Sequence, residues 1–543
     1  MTVSENLFGT DGIRGQVSLA EVDEEEAVRL LVEERTLTPA LVRVLGEALG
    51  ATMPLLAGEG STVVIGWDDR PANATLARAL TLGLRLNGAT VVHIGLCATP
   101  TLHAATLAFD ARMGCMITAS HNPVTDSGVK VFDGHGYKST RPFERDVNAA
   151  VFGLSQEDRE VDEDLRLAAS QPNASHTDWP AVHHPALMKQ RWATFEAVFG
   201  GFNAQSMRLQ DPFLIDGAKG FASTWLAAFL NERGLNAHEV SASAAALNDR
   251  CGAGDLSPTQ TWTFEEAAAS DHALVSRLQP APAGRWVGAA LDGDGDRCLV
   301  IESTDTGFKV VDGDAMAAAL LGAGSVDRPW TFAASIESDV ALMGHVQSLH
   351  PGTVTHETGV GDRWLSMCLR PNEGGWWIAP ELPALLGVED SGHVVMASPH
   401  PNRDGTWALV GDGAATLCAL LCSLHRPSDQ AFHRGWKSRI SVKDAHRERW
   451  QAGNALFNAT KEQTLAWMVD AGFEAEARTV EGEDNLLLVQ GINAEGTVSL
   501  GVRNSGTQAK TSLSLRLSPG LDPEPFEAFL GELHSNLNDT LTR

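Results

Sequence analysis

The stretch from Thr62 to Ile94 constrains the fold more than any other. Thr62-Val63-Val64-Ile65-Gly66 is a short, β-branched, apolar run of the kind that forms a buried strand. Trp67-Asp68-Asp69-Arg70-Pro71 follows as a polar loop, Leu76, Leu80 and Leu84 recur at helical spacing, and Thr90-Val91-Val92-His93-Ile94 is a second strand. Two strands joined through a helix pair in parallel, because the helix is the crossover. Leu41, Val44, Leu45 and Leu49 place a further helix before the unit. Phe213-Leu214-Ile215-Asp216-Gly217 and Trp330 to Ser335 read as strands opening a second and a third unit of the same kind.

A chain of 543 residues is too long for one core and divides into roughly three or four domains. We expect bounds at 1–190, 191–305, 306–428 and 429–543, with mixed, mostly parallel sheets in the first three. The last hundred residues change character. Trp450, Leu456, Leu465, Trp467 and Met468 suggest helices, Val498, Leu500 and Val502 alternate like a strand, as do Leu513 and Leu515, and Pro523 to Leu537 reads as a closing helix. A smaller α+β domain fits, with His425 to Gln430 as linker. The polar, proline-bearing stretch Ser155 to His184 reads as a surface excursion.

The formal charge of −28 argues against nonspecific nucleic-acid binding and against anionic membrane surfaces. An anionic ligand then needs a local basic pocket. Seven scattered cysteines form no Cys-x-x-Cys pair, which fits reduced thiols in a cytoplasmic protein. Met1 to Gly15 has no signal-peptide pattern, and no apolar run reaches membrane-spanning length.

Five segments carry chemistry. Ser120 lies in Thr118-Ala119-Ser120-His121-Asn122-Pro123, which is not the Gly-x-Ser-x-Gly elbow, because Thr118 and Asn122 occupy the glycine positions. A serine needs a base or a positive centre to act as a nucleophile, and His121, its neighbour in sequence, is poorly placed as the base. Lys130 could balance a phosphate, or move a proton if neighbouring cations lower its pKa. Asp292-Gly293-Asp294-Gly295-Asp296-Arg297 presents three hard oxygen ligands suited to Mg²⁺ at the end of the apolar, strand-like run Val287 to Leu291. A calcium loop is excluded by Arg297 at the glycine position and Ser303 at the bidentate position. Gly387 to His393 combines Glu389, Ser391 and His393, which suits sugar hydroxyls; a self-bonded turn is the alternative. Arg503-Asn504-Ser505-Gly506-Thr507 has the composition of a phosphate cradle, although short Ser-Gly-Thr turns are common. Phe8 to Gly15 sets Arg14 among three glycines, as an anion contact or a structural turn.

Taken in order, Phe-Gly-Thr-Asp-Gly-Ile-Arg-Gly, Thr-Ala-Ser-His-Asn-Pro, Asp-Gly-Asp-Gly-Asp-Arg, Glu-x-Ser-Gly-His and Arg-x-Ser-Gly-Thr resemble the α-D-phosphohexomutase superfamily over essentially the whole chain. The resemblance implies three related α/β domains and a mobile C-terminal domain around a central cleft. It implies a phosphoserine at Ser120, and one Mg²⁺ held by Asp292, Asp294 and Asp296 with an oxygen of the Ser120 phosphate. Lys130 would be the general acid/base, with Arg14, His121 and Arg297 supporting the transferring phosphoryl group. Glu389, Ser391 and His393 would contact the sugar, and Arg503, Ser505, Gly506 and Thr507 the phosphate that is not transferred. Phosphate would move between C6 and C1 of a hexose through a sugar bisphosphate, which also serves as activator, in a monomer or homodimer. Phe8 to Gly15, Val360-Gly361-Asp362-Arg363 and Asn248-Asp249-Arg250-Cys251-Gly252 look most like the phosphoglucosamine mutase branch, which implies glucosamine 6-phosphate as substrate. Asp390 would then pair with the sugar's ammonium. A phosphoglucomutase or phosphomannomutase is the nearest alternative, and a noncatalytic sugar-phosphate-binding relative a remote one. Val388, Ser127 and Gln508-Ala509 depart from the family's usual residues.

Overall fold

A computed structural model describes residues 6–157, 162–325, 328–426, 429–504 and 510–542. It contains four sheets in chain order, one in each of four domains. The first sheet runs, edge to edge, Thr36–Leu37, Ile13–Val17, Asp126–Asp133, Met113–Ile117, Thr62–Trp67, Thr90–Leu96 and Ala174–Ser175. Thr62–Trp67 pairs in parallel with both Thr90–Leu96 and Met113–Ile117, as a helical crossover requires. The crossover helix Asn73–Leu86 packs on the helix Pro39–Thr52, which Thr38 caps by accepting from the Leu41 N–H. These helices meet closely because a Cβ at Gly83 would stand 2.0 Å from the Arg43 carbonyl oxygen.

The first three domains repeat one arrangement. In each, a parallel strand pair is followed by a hairpin whose first strand joins it. The hairpins are Met113–Ile117 with Asp126–Asp133, Trp286–Leu291 with Cys298–Ser303, and Leu385–Val388 with Val394–Pro399. The parallel partners of the second and third are Leu209–Asp216 and Thr331–Ser335. Parallel pairing predominates only in the first sheet, because in the second and third these hairpins and the strands beside them make the ladder chiefly antiparallel. The three sheets are mixed, as expected, but only the first is mostly parallel. The hairpin tips are Thr118 to Thr125, Asp292 to Arg297 and Glu389 to His393, so the repeat delivers three loops to one place.

The tail sheet is wholly antiparallel, in the order Trp436–Lys443, Lys510–Leu517, Thr497–Asn504, Leu487–Ile492, Glu474–Arg478, and carries the helices Ala455–Asp470 and Glu524–Leu541. Its core includes Trp450, Leu500, Leu513 and Phe529. The second and third domains share one apolar core containing Phe213, Trp330 and Phe332, each side chain contributing roughly 1.5–3 kcal/mol of burial. Among the described residues no helix is long and apolar enough to cross a membrane.

Ser155 to His184 is more ordered than a surface excursion. It contains the helix Glu163–Ala169, the edge strand Ala174–Ser175 and the start of the helix Trp179–Phe199, while 158–161 lie outside the described residues. That long helix buries Arg191 against Asp412 at 2.5 Å. We propose to keep 1–190, 191–305, 306–428 and 429–543 as the four units, noting that the first bound falls within this helix.

Candidate functional site

Ser120 occupies the tip of the first hairpin with φ +55°, a conformation that costs a non-glycine residue about 1–2 kcal/mol unless its surroundings hold it. They do. The Thr118 hydroxyl accepts from the Ser120 N–H at 2.8 Å, and the Ser120 carbonyl accepts from Arg70 Nη2 at 2.8 Å and from Asn248 Nδ2 at 2.7 Å. Arg70 also donates to the carbonyls of Pro123, Asp126 and Asn122 and pairs with Asp68, so one guanidinium gathers the whole loop. The second domain closes over the same loop, since a Cβ at Gly254 would lie 2.4 Å from His121 Cβ.

The Ser120 hydroxyl donates to Asp292 Oδ2 at 2.7 Å across 172 positions of sequence. The loop carrying Asp292 turns at Gly295, φ +74°, a left-handed position suited to glycine. Asp292, Asp294 and Asp296 are all buried and offer ligand oxygens within 4.8 Å of one another. Burial first, then the Asp296 and Asp294 charges, push the Asp292 carboxyl up to about 7. Asp294 Oδ1 and Asp296 Oδ1 are buried without a hydrogen bond. Such crowded, partly unsatisfied carboxylates fit a small divalent cation with oxygen ligands, so the residues present suit Mg²⁺.

Lys130 Nζ donates to Asp294 Oδ2 at 2.6 Å and Asp296 Oδ2 at 2.8 Å, and lies 3.2 Å from Asp11. Burial opposes its charge, but Asp11, Asp294 and Asp296 outweigh burial and hold the ammonium well above its ordinary range. The expectation that neighbouring cations lower Lys130 is therefore not met, because its nearest neighbours are carboxylates. Arg14 donates to the Ala119 carbonyl and to Asp11, each at 3.3 Å. His121 is held well below its usual range by burial and by Arg297 and Arg14, with Nδ1 buried and unpaired. The Arg297 N–H donates to Asp292 Oδ1 at 3.1 Å.

The third hairpin brings Glu389, Ser391 and His393 to the same region. Glu389 Oε1 accepts from the Gly361 N–H at 2.6 Å, and the Ser391 hydroxyl lies 3.4 Å from Glu389 Oε2. His393 Nδ1 stands 3.5 Å from Asp296 Oδ1 and Nε2 3.1 Å from Asp362 Oδ2. Burial opposes the imidazolium, but Asp296 and Asp362 raise it to about 10. The Asp390 carboxylate is already paired, with Lys437 at 3.0 Å and Arg439 at 3.3 Å. Two protein cations already occupy the position imagined for a sugar ammonium.

Arg503 stands apart from the cluster. It lies 3.5 Å from both Glu337 and Glu483 and lines a cleft of about 880 Å³ with Thr10, Arg141, Val360 and Arg363. Ser505, Gly506 and Thr507, and with them Gln508-Ala509, lie outside the described residues. Sequence reasoning missed Arg70, Asn73, Asp68 and Lys138. Asn73 donates to Asp68 at 2.6 Å and to the Ile117 carbonyl at 3.0 Å and accepts from the Ser127 hydroxyl at 2.6 Å, tying the loop's two strands together.

Comparison with known proteins gives consistent matches. Residues 5–158 match the family model described as phosphoglucomutase/phosphomannomutase, alpha/beta/alpha domain I, and residues 312–436 match domain III of the same family. A phosphoglucosamine mutase of Ruegeria sp. (strain TM1040) is 29% identical over 460 residues, covering 84% of this chain and 87% of that one. A phosphoglucomutase/phosphomannomutase family protein from Burkholderia thailandensis superposes with TM-score 0.63 at 18% identity, covering 99% of both chains. An Aspergillus fumigatus N-acetylphosphoglucosamine mutase, solved with GlcNAc-6P and magnesium, gives TM-score 0.51 at 14% identity over 81% of this chain and 93% of that one.

Proposed function

The chain belongs to the α-D-phosphohexomutase superfamily, and from that premise we propose that it interconverts glucosamine 6-phosphate and glucosamine 1-phosphate through a phosphoserine at Ser120. The observation that carries this reading is the 2.7 Å hydrogen bond from the Ser120 hydroxyl to the buried carboxylate triplet. A buried serine on three crowded carboxylates has little use for its surroundings unless it carries a phosphoryl group beside a cation.

Asp292, Asp294 and Asp296 would hold Mg²⁺, which when bound supplies positive charge to the oxygens of the transferring phosphoryl group. In the first half of the cycle the bond from phosphorus to Ser120 Oγ breaks and a bond to a sugar hydroxyl oxygen forms. The hydroxyl proton must leave the sugar, and Ser120 Oγ must gain one. Lys130 is charged in this arrangement, so it enters as the acid, protonates Ser120 Oγ and recovers the proton from the sugar. Arg14 and Arg297 offset charge around the serine loop, and neutral His121 can donate one hydrogen bond there. Glu389, Ser391 and His393 receive the sugar, and Arg503 with Ser505, Gly506 and Thr507 the other phosphate. The sugar bisphosphate then turns in the cleft and returns its second phosphate to Ser120. Exclusion of water protects the phosphoserine in the interval.

A second reading, with glucose or mannose in place of glucosamine, follows from the family models' own description. Turnover of glucosamine 1-phosphate, glucose 1-phosphate and mannose 1-phosphate, each primed with a trace of the matching bisphosphate, separates the two. We expect the highest kcat/KM with the amino sugar. A preference for glucose or mannose of about tenfold or more would replace the substrate and leave the reaction class standing.

A further inference from the structure

The cycle above makes no use of Lys138, yet this lysine is as buried as the groups that the cycle does use. Its side chain is 6% exposed, and its ammonium lies 2.9 Å from Asp11 Oδ1 and 2.8 Å from Asp362 Oδ1. An ammonium is expensive to bury without carboxylates around it, and a lysine can otherwise swing to solvent. The turn that holds it is fixed: Lys138 bridges Phe132 in the ladder, and Gly136 takes φ +84°. The aromatic ring of Phe132 lies 6.0 Å below Nζ.

Following the contacts outward from Lys138 gives a closed circuit. Asp11 leads to Lys130 at 3.2 Å, and Lys130 to Asp296 at 2.8 Å. In the other direction Asp362 leads to His393 at 3.1 Å, and His393 to Asp296 at 3.5 Å. The circuit alternates in sign and draws on three domains: Asp11, Lys130 and Lys138 from the first, Asp296 from the second, Asp362 and His393 from the third. Within this circuit Lys138 is the link between the first domain and the third, beside the separate buried pair of Glu144 and Arg363.

We infer that Lys138 is a positioning residue, which clamps the Asp362 carboxylate and through it sets the His393 imidazole against Asp296 and the bound sugar. The two oxygens of Asp362 are divided between an ion pair to Lys138 and a hydrogen bond to His393, so the two contacts together restrain the orientation of the carboxylate. Its plane in turn fixes Nε2 of the imidazole. Asp362 opens the helix Asp362–Leu369, whose Arg363 pairs with Glu144 of the first domain, so the helix keeps that seat and the clamp acts on the carboxylate itself. With Lys138 removed, Asp362 keeps one partner and His393 gains rotational freedom, while the triplet and Ser120 keep their own contacts.

The inference rests on the phosphohexomutase reading. The test is a double-mutant cycle on the full chain with Lys138→Met and His393→Gln, measured as kcat and KM with the best hexose 1-phosphate and bisphosphate primer. If Lys138 acts through His393, Lys138→Met lowers kcat about tenfold or more with KM changed less than about threefold. In the His393→Gln background the same substitution then costs less than about threefold. Equal losses in both backgrounds, or a kcat within about threefold of wild type, would overturn the inference. Lys138→Gln carries the same cycle if Lys138→Met does not fold. A wild-type chain that isomerises none of the three hexose phosphates is a different result, and it removes the parent reading before Lys138 is considered.

Discussion

At the scale of single residues, the serine loop is a strained tip held by donors that lie far off in sequence. Arg70 has no substitute there, because one guanidinium serves the carbonyls of Ser120, Asn122, Pro123 and Asp126 and the Asp68 carboxylate at once. Arg70→Met leaves Asp68 buried without its cation, and we expect a loss of roughly 3–5 kcal/mol in urea unfolding together with a fall in kcat. Wild-type stability in that variant would mean that the loop is held by other contacts. Ser120 and the aspartate triplet are legible in the sequence because each is a dense, contiguous cluster whose chemistry needs no partner to be recognised. Arg70, Lys138 and Asn73 are not, because their work is done on backbone carbonyls or on carboxylates reached only through the fold. Asn248 sits between these cases: its pattern is visible beside Cys251 and Gly252, but its bond to the Ser120 carbonyl spans 128 positions.

At the scale of elements, the strands and helices that alternate cleanly are the ones the sequence announces. Thr62–Trp67, Asn73–Leu86 and Thr90–Leu96 follow their apolar periods. Ala174–Ser175 cannot, since two residues set no period, and it pairs only because Val92 and His93 offer an edge. The equivalence of the three functional hairpins is also hidden, since their tips differ wholly in residue type and share only their place in the sheet order. One consequence of the packing can be measured by titration. His93, His103 and His184 are buried and held down to about 4, 3 and 4, mainly by burial. A histidine whose folded pKa lies below its unfolded value adds nothing to the pH dependence above about 6.5. Below that, the unfolded chain takes up the proton first, so stability falls as pH drops towards 4. Each imidazole contributes roughly 1.4 kcal/mol per pH unit in that window. Followed one by one by NMR, these three imidazoles should stay neutral from pH 7 to pH 5; protonation of any of them near pH 6.5 would mean that it reaches water.

At the scale of the whole molecule, charge holds the tail domain to the third. Lys437, on the first tail strand, lies 3.0 Å from each of Asp312, Asp314 and Asp390, while Arg434 pairs with Asp312 and Arg439 with Glu337. None of this is readable from the tail's own sequence, where Trp436 to Lys443 looks like an ordinary basic strand. Lys437→Met removes the cation that the three carboxylates share and leaves Asp312 and Asp314 to Arg434 and Asp390 to Arg439; it should cost roughly 1–3 kcal/mol of docking, seen as a separate, lower calorimetric transition for the tail. An unchanged single transition would mean that apolar contacts suffice. The account as a whole stands on where the phosphoryl group rests. Hexose bisphosphate labelled in its phosphates, mixed with the protein and Mg²⁺, should label the peptide containing Ser120, and added hexose monophosphate should discharge that label into bisphosphate. Label on any other side chain, or a Ser120→Ala protein that still isomerises hexose phosphate at a rate near wild type, would contradict it.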